Sequence, residues 1–363
     1  MALDFAVVVI PGIVIGIIFG FVLQRGRFCM NSAFRDIILL KQYTLLKAVV
    51  LALVIQMVAF HLMDALAIIT LAPKPLAWAG NILGGFLFGI GMALAAGCAS
   101  GTTYRVGEGM VGSLMALLGL AIGALTTAAG VLKPVKDELR SATTISADDG
   151  SALTLGNILG TGDIAVLLTW LIVIVAAGLI AAYFIWKDFL PWQKAGNKLD
   201  FSDLGKKIFK DGWAWWVTGI AIALIGCAAF VSSAAAGRNY PLGITAGWVG
   251  VLKYFVAGAD VATAEAALSW IAWLVIGAVI GAFIAAIIAG EFKLRAPKEG
   301  KILLYQFIGG TIMGVGAVTA AGCNIGNLLS GIPQLSVGST LTSIFIVLGT
   351  WMMAYLLFMR GED

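Results

Sequence analysis

AAGCASGTTYR (95–105) and AAGCNIGNLLS (320–330) each close a glycine-studded apolar run, and reading the two together decides the fold. At an offset of 225 residues, Gly84-Gly85 aligns with Gly309-Gly310, Gly89 with Gly314 and Gly91 with Gly316. Gly97-Cys98 then meets Gly322-Cys323, and Gly101 meets Gly326. So many coincidences around one cysteine exceed what apolar composition alone produces. A weaker echo sets QRGRFC (24–29) beside AAGRNY (235–240), matching Gly26-Arg27 with Gly237-Arg238. The chain reads as duplicated, with residues 1–132 as one repeat, 213–363 as the other and 133–212 as the connection.

What surrounds these runs is lipid-compatible. Of 363 residues, 61% are hydrophobic and 12% charged, about half the charge of a soluble domain. Apolar stretches long enough to cross a hydrocarbon core recur at about 5–24, 46–71, 79–97, 110–132, 163–186, 213–236, 266–290, 302–322 and 337–359. The expected fold class is an all-α polytopic membrane protein of nine transmembrane helices. No basic stretch precedes the first run and no small-residue cleavage site follows it, so 5–24 reads as a retained span. The four cysteines, Cys29, Cys98, Cys227 and Cys323, show no CxxC or CxxH spacing. That makes zinc and thioredoxin-like readings poor, and their apolar settings argue against a disulfide framework.

Basic residues set the orientation. Seventeen of the 23 lie in the connections after the first, third, fifth, seventh and ninth spans. The positive-inside rule places those connections in the cytoplasm, the N-terminus outside and the C-terminus inside. The third and eighth spans then run in opposite directions, so the repeats are inverted. Inverted repeats place a transport site near the midplane, where helices break and short segments turn back. Residues 133–162 read as an external excursion, and 187–212 either as a solvated loop or as a lysine-rich amphipathic linker on anionic lipid, with Phe201, Leu204, Ile208 and Phe209 as its apolar residues.

The residues around each cysteine suit such breaks. Gly97, Ser100, Gly101 and Thr102 surround Cys98; Gly322, Asn324, Gly326 and Asn327 surround Cys323; Asn31 and Ser32 follow Cys29. Short polar side chains compete for backbone hydrogen bonds, and irregular backbone at membrane depth survives only when buried or lining a watery cavity. PLGITAGWVG (241–250) makes a fourth segment of this kind. Glycines so spaced also serve as helix-packing surfaces, and a buried cysteine is often a small apolar filler. Cys227, inside the unbroken TGIAIALIGCAAF (218–230), fits that filler description.

Three stretches carry a resemblance. QRGRFCMNSAFRD (24–36), GGFLFGIGMALAAGCASGTTYRVGEG (84–109) and GGTIMGVGAVTAAGCNIGNLLSGI (309–332) resemble the YeeE/YedE sulfur-transport family, in order and across nearly the whole chain. The resemblance implies an hourglass of nine spans and an inner-membrane permease for thiosulfate or a related sulfur compound. It also implies three characteristic cysteines at Cys29, Cys98 and Cys323. Relatives handle selenium or other sulfur compounds with similar motifs, so the substrate stays open. Some carry a small cytoplasmic sulfur-carrier domain, which for this chain is expected on a separate protein. Lipid is the other expected partner. No catalytic residue, cofactor, metal or nucleic acid is expected.

The mechanism expected from these residues is a relay. Neutral thiols are weak S–H donors that hold a soft dianion briefly, whereas a full charge at depth is costly and slows release. Cys323 would meet the ion near the outer face, and Cys98 and Cys29 would pass it inward. Backbone N–H groups after Gly101 and Gly326 and the polar residues named above would help. Arg238 is the expected outer attractor, while Arg27 and Arg105 are either lining residues or topology determinants. His61, one helical turn before Asp64, raises a proton-relay reading, with His61→Ala expected to leave uptake largely intact. A membrane thiol oxidoreductase, the rival class, would call for closely paired cysteines.

Overall fold

The computed structural model describes residues 5–147, 150–194, 203–256 and 268–360. Nine segments among them are apolar and long enough to cross a membrane. Without water to satisfy N–H and C=O groups, such segments close their hydrogen bonds internally as helices. The first half contains α1 (Ile10–Arg25), α2 (Met30–Leu39), α3 (Thr44–Ala65), α4 (Trp78–Leu94), α5 (Ala99–Gly107) and α6 (Val111–Ala128). Then come α7 (Lys133–Thr143) and α8 (Asp163–Phe184). The second half contains α9 (Trp215–Ala235), α10 (Thr245–Val256), α11 (Trp270–Ile288), α12 (Gly300–Thr319), a π-helical turn at Ile325–Leu329, and α13 (Val337–Phe358). The second span stops at Ala65, six residues short of the hydropathy reading. LAIITL (66–71) is apolar but leaves the helix, and the Asp64 carboxylate accepts the Leu71 N–H at 2.9 Å.

Packing comes in matched pairs. α12 lies on α6 as α13 lies on α4, and α11 lies on α1 as α3 lies on α9. α4 and α12 cross at glycines: a Cβ on Gly84 would stand 2.7 Å from the Gly316 carbonyl, and one on Gly316 would stand 2.6 Å from the Gly84 carbonyl. Gly89 meets the Ile346 carbonyl as Gly314 meets that of Leu120, with Cβ distances of 2.2 Å at each. In lipid, helix association draws on such close backbone approach rather than on apolar burial.

Helix ends repeat the pattern. After α4 the Gly97 N–H reaches the Met92 carbonyl and Ala96 takes φ +54°; after α12 the Gly322 N–H reaches that of Ala317 and Ala321 takes φ +57°. Non-glycine residues in this left-handed region cost about 1–2 kcal/mol. Both are held there by the same pair of C-terminal hydrogen bonds. For α1 and α9, the structurally equivalent closing residues are Arg27 (φ +45°) and Gly237 (φ +79°), one residue out of step with the sequence echo.

Connections segregate onto two faces. On one, Arg25 donates to the Lys210 carbonyl and to Glu291, and Gln24 donates to Glu108 at 3.1 Å and Glu291 at 2.8 Å. On the other, Leu76–Ala77 (β1) pairs with Thr144–Ile145 (β2), and Arg140 on α7 donates to the Thr319 carbonyl at 2.9 Å. The stretch read as an external excursion is thus structured by α7 and this two-strand ribbon. α8 stands outside the bundle, with Val173 its one buried residue, and packs on α3. From the linker reading, Phe201 lies outside the described residues; Phe209 docks edge-on to Phe21 at 5.8 Å rather than only facing lipid.

Candidate functional site

Two helix starts meet at sulfur. Cys29, in extended backbone, precedes α2, and Cys98, also extended, precedes α5. Their Sγ atoms stand 3.8 Å apart and both residues are buried. The Cys98 sulfur accepts the Gly101 N–H at 3.3 Å and lies 3.4 Å from the Ser100 hydroxyl. Gly101 makes the pairing possible: a Cβ there would stand 2.7 Å from the Cys29 sulfur and 3.2 Å from that of Cys98. Because a helix start carries partial positive charge, this is a place where electron-rich sulfur is favoured.

The second half reaches the same region through Asn324, whose amide donates to the Met30 sulfur at 2.8 Å. Cys323 beside it is buried. Asn31 and Asn324 are both fully enclosed, and neither side-chain oxygen has a hydrogen-bond partner among the described residues. An unmatched buried polar atom costs about 1–3 kcal/mol, so two of them flanking cysteines mark a spot not optimised for stability.

Other expected lining residues are committed to holding the chain. The Thr102 hydroxyl donates to the Cys98 and Ala99 carbonyls on its own helix. Asn327 donates to the Gly322 carbonyl at 2.7 Å, and its oxygen accepts from Ser339 at 3.1 Å. Gly97 is buried against Thr102 and Arg105, while Ser32 is half-buried on α2. Arg105 folds back to the Ala96 carbonyl at 2.7 Å, and Arg238 donates to the Tyr240 and Pro241 carbonyls at 2.6 Å each.

Sequence reasoning missed Lys74. It reaches into the second break, donating to the Gly326 carbonyl at 3.0 Å and to the Asn327 oxygen at 3.3 Å, above the Tyr240 ring. Tyr240 in turn donates its hydroxyl to the Gly326 carbonyl at 2.7 Å. Ala72 N–H to Gln334 and Ser336 hydroxyl to the Lys74 carbonyl pin this loop. Gly322, at φ +156°, leaves the space: a Cβ there would stand 2.2 Å from the Lys74 nitrogen. Burial lowers the Lys74 pKa to about 7, and nearby Arg238 and Arg140 push the same way against the opposing influence of Cys323. The only sequence signal was its place between Pro73 and Pro75.

The Gln24–Arg25–Glu108–Glu291 cluster on the opposite face was also missed. Arg25 is 1% exposed while Arg27, the arginine singled out by sequence, is 68% exposed. Burial raises the Glu108 pKa, whereas Gln24, Arg25 and Arg27 together outweigh burial at Glu291 and lower its pKa.

Comparison with known proteins bears on this arrangement. The profile of a family described as "Sulphur transport" matches residues 25–352. A thiosulfate transporter, TsuA, of Spirochaeta thermophila is 39% identical over 356 residues, covering 96% of this chain and 99% of that protein. TsuA of Escherichia coli is 31% identical over 363 residues, covering 98% and 96%. A probable transporter, YedE, of Salmonella typhimurium is 36% identical over 110 residues, covering 30% and 26%.

Proposed function

We propose, from the premise that this chain belongs to the sulphur-transport family, that it is a permease for thiosulfate or a closely related sulfur oxyanion. The thiosulfate transporters similar to it along nearly their whole length support that substrate class. The observation that carries the mechanism is the 3.8 Å approach of the Cys29 and Cys98 sulfurs at two helix starts. In this reading the halves are inverted repeats forming an hourglass, a reading supported by the reciprocal Gly84/Gly316 contacts and the matched helix ends. The face bearing Lys74 and Arg238 is the outside by the distribution of basic residues, and the bilayer is the inner membrane, with the N-terminus outside and the C-terminus inside.

Lys74 receives the dianion. Two of its three N–H donors are engaged by Gly326 and Asn327, which leaves the third for a sulfonate oxygen. Cys323, followed by Cys98 and Cys29, then offers S–H donors to the terminal sulfur. Asn31 and Asn324, turned about their Cβ–Cγ bonds, present amide N–H groups to the oxyanion. No covalent step is needed. The ion leaves past Arg105 toward the cytoplasm, where a separate sulfur-carrier protein would take it.

Uptake of radiolabelled thiosulfate by proteoliposomes tests this, with sulfate, selenite and selenate as competitors. Saturable uptake should fall about tenfold or more in Cys98→Ser and in Cys323→Ser, equivalent to about 1.4 kcal/mol or more of lost transition-state stabilisation. Wild-type rates in both would remove the thiol relay. Stronger competition by a selenium oxyanion than by unlabelled thiosulfate would reassign the substrate.

A further inference from the structure

Cys29 and Cys98 are separated by 69 residues, yet their sulfurs are 3.8 Å apart and both thiols are free. A disulfide needs about 2.05 Å, so the two sulfurs have under about 2 Å to close. Gly101 keeps side-chain atoms out of the space between the two sulfurs and helix α5. Each cysteine immediately precedes a helix, so a bond between them would tie the starts of α2 and α5 together. Both sulfurs stand at helix starts, where partial positive charge favours an electron-rich sulfur. Cys323 makes no sulfur–sulfur contact among the described residues, and Cys227 is half-buried on α9 among apolar neighbours such as Phe60 and Phe230.

We propose that Cys29 and Cys98 form a modification site, a dithiol that a small hydroperoxide converts to an intramolecular disulfide, closing the transport path until a reductant reopens it. The inference rests on the reading that the substrate passes these sulfurs. Hydrogen peroxide is small and uncharged, which suits entry to a buried site. One of the two sulfurs attacks one peroxide oxygen; the O–O bond breaks, and its sulfenic acid and water form. The other sulfur then attacks the sulfenic sulfur; an S–S bond forms, the S–O bond breaks, and a second water leaves with the remaining thiol proton. In sum, two thiols lose two electrons and one peroxide becomes two waters. A dithiol reductant reverses the change by exchange through a mixed disulfide.

The test uses wild-type protein in proteoliposomes with measured thiosulfate uptake, alongside Cys227→Ser. After hydrogen peroxide treatment and alkylation of remaining thiols, digestion should yield a peptide pair joined through Cys29 and Cys98. Uptake should fall about tenfold or more and return after dithiothreitol, in both proteins alike. Transporting protein that never yields the joined peptide overturns this proposal and leaves the relay reading standing. A joined peptide with undiminished uptake overturns both. Lost uptake without the joined peptide, or without recovery, overturns the proposal by assigning the loss to deeper oxidation.

Discussion

The two Ala-Ala-Gly-Cys breaks share a backbone closure but surround their cysteines differently. At the first, Cys98 starts a nine-residue α-helix and its sulfur lies against a second sulfur. At the second, Cys323 precedes a five-residue π-helical turn in which the Gly326 carbonyl and the Asn327 side chain accept from a lysine of another connection. Positions that align in the sequence thus hold a sulfur pair at one break and a lysine at the other, a cationic mouth on the proposed reading. The difference teaches how two similar turns would serve one anion: a buried lysine attracts it by charge, and thiols hold it as neutral donors where a full charge is costly.

Glycine substitutions break this comparison most sharply. Gly101 and Gly326 occupy matched positions, but a Cβ on Gly101 would stand 2.7 Å from the Cys29 sulfur, whereas one on Gly326 meets nothing closer than the Lys74 nitrogen at 3.3 Å. Gly101→Ala should therefore push the sulfurs apart and cut uptake about tenfold or more, while Gly326→Ala changes it less than about threefold. Folding of each variant is checked by thermal unfolding. Equal losses in the two would show that helix packing, rather than room for sulfur, keeps these glycines.

Charge at the cationic mouth gives the next effect. With its pKa near 7, Lys74 is fully charged below that value and loses its proton as pH rises through it. Attraction for a dianion is present at acid pH and fades above neutrality, so the wild-type KM should climb between about pH 6 and 8. Two charges about 4 Å apart interact by about 4 kcal/mol at an effective dielectric of 20, and partial solvation leaves about 1–2 kcal/mol of it. Lys74→Met should raise KM about tenfold at pH 6 and flatten the profile, with kcat less affected. A slope that persists in Lys74→Met would assign the titration to another group.

Much of this was legible in the chain. The C-terminal ends of eight of the nine spanning helices fell within a few residues, because crossing hydrocarbon demands a fixed apolar length. LAIITL misled at the end of the second, since hydropathy cannot tell helix from extended loop. The closures at Ala96 and Ala321 share the same local hydrogen bonds and the same local sequence. Long-range encounters were legible only through the motifs. The 69-residue separation says nothing of how Cys29 and Cys98 meet; the glycine-bounded breaks placed them on one relay, and the 3.8 Å contact at two helix starts came from packing. Lys74 reads as an ordinary loop lysine until Gly322 is seen to make room for it. Likewise Arg25 and Arg27 look alike in sequence, and only packing buries one beneath Glu291 and Lys210.

The smallest expected effect lies in span two, away from both breaks. A proton relay there would need His61 and Asp64 to face one another or a common path. Instead the His61 Nδ1 atom pairs with the Met57 carbonyl at 2.8 Å, and the ring packs edge-on to Trp170 at 6.1 Å. Asp64 spends a carboxylate oxygen on the Leu71 N–H, fixing the turn that leads toward Lys74. His61→Ala should therefore leave thiosulfate uptake and its pH profile unchanged, at a cost of about 1–2 kcal/mol in stability from lost ring packing. Uptake falling to the level expected of Cys98→Ser would instead move the site's proton chemistry onto α3, and the contrast between sulfur crossing and cationic mouth would no longer suffice to explain transport.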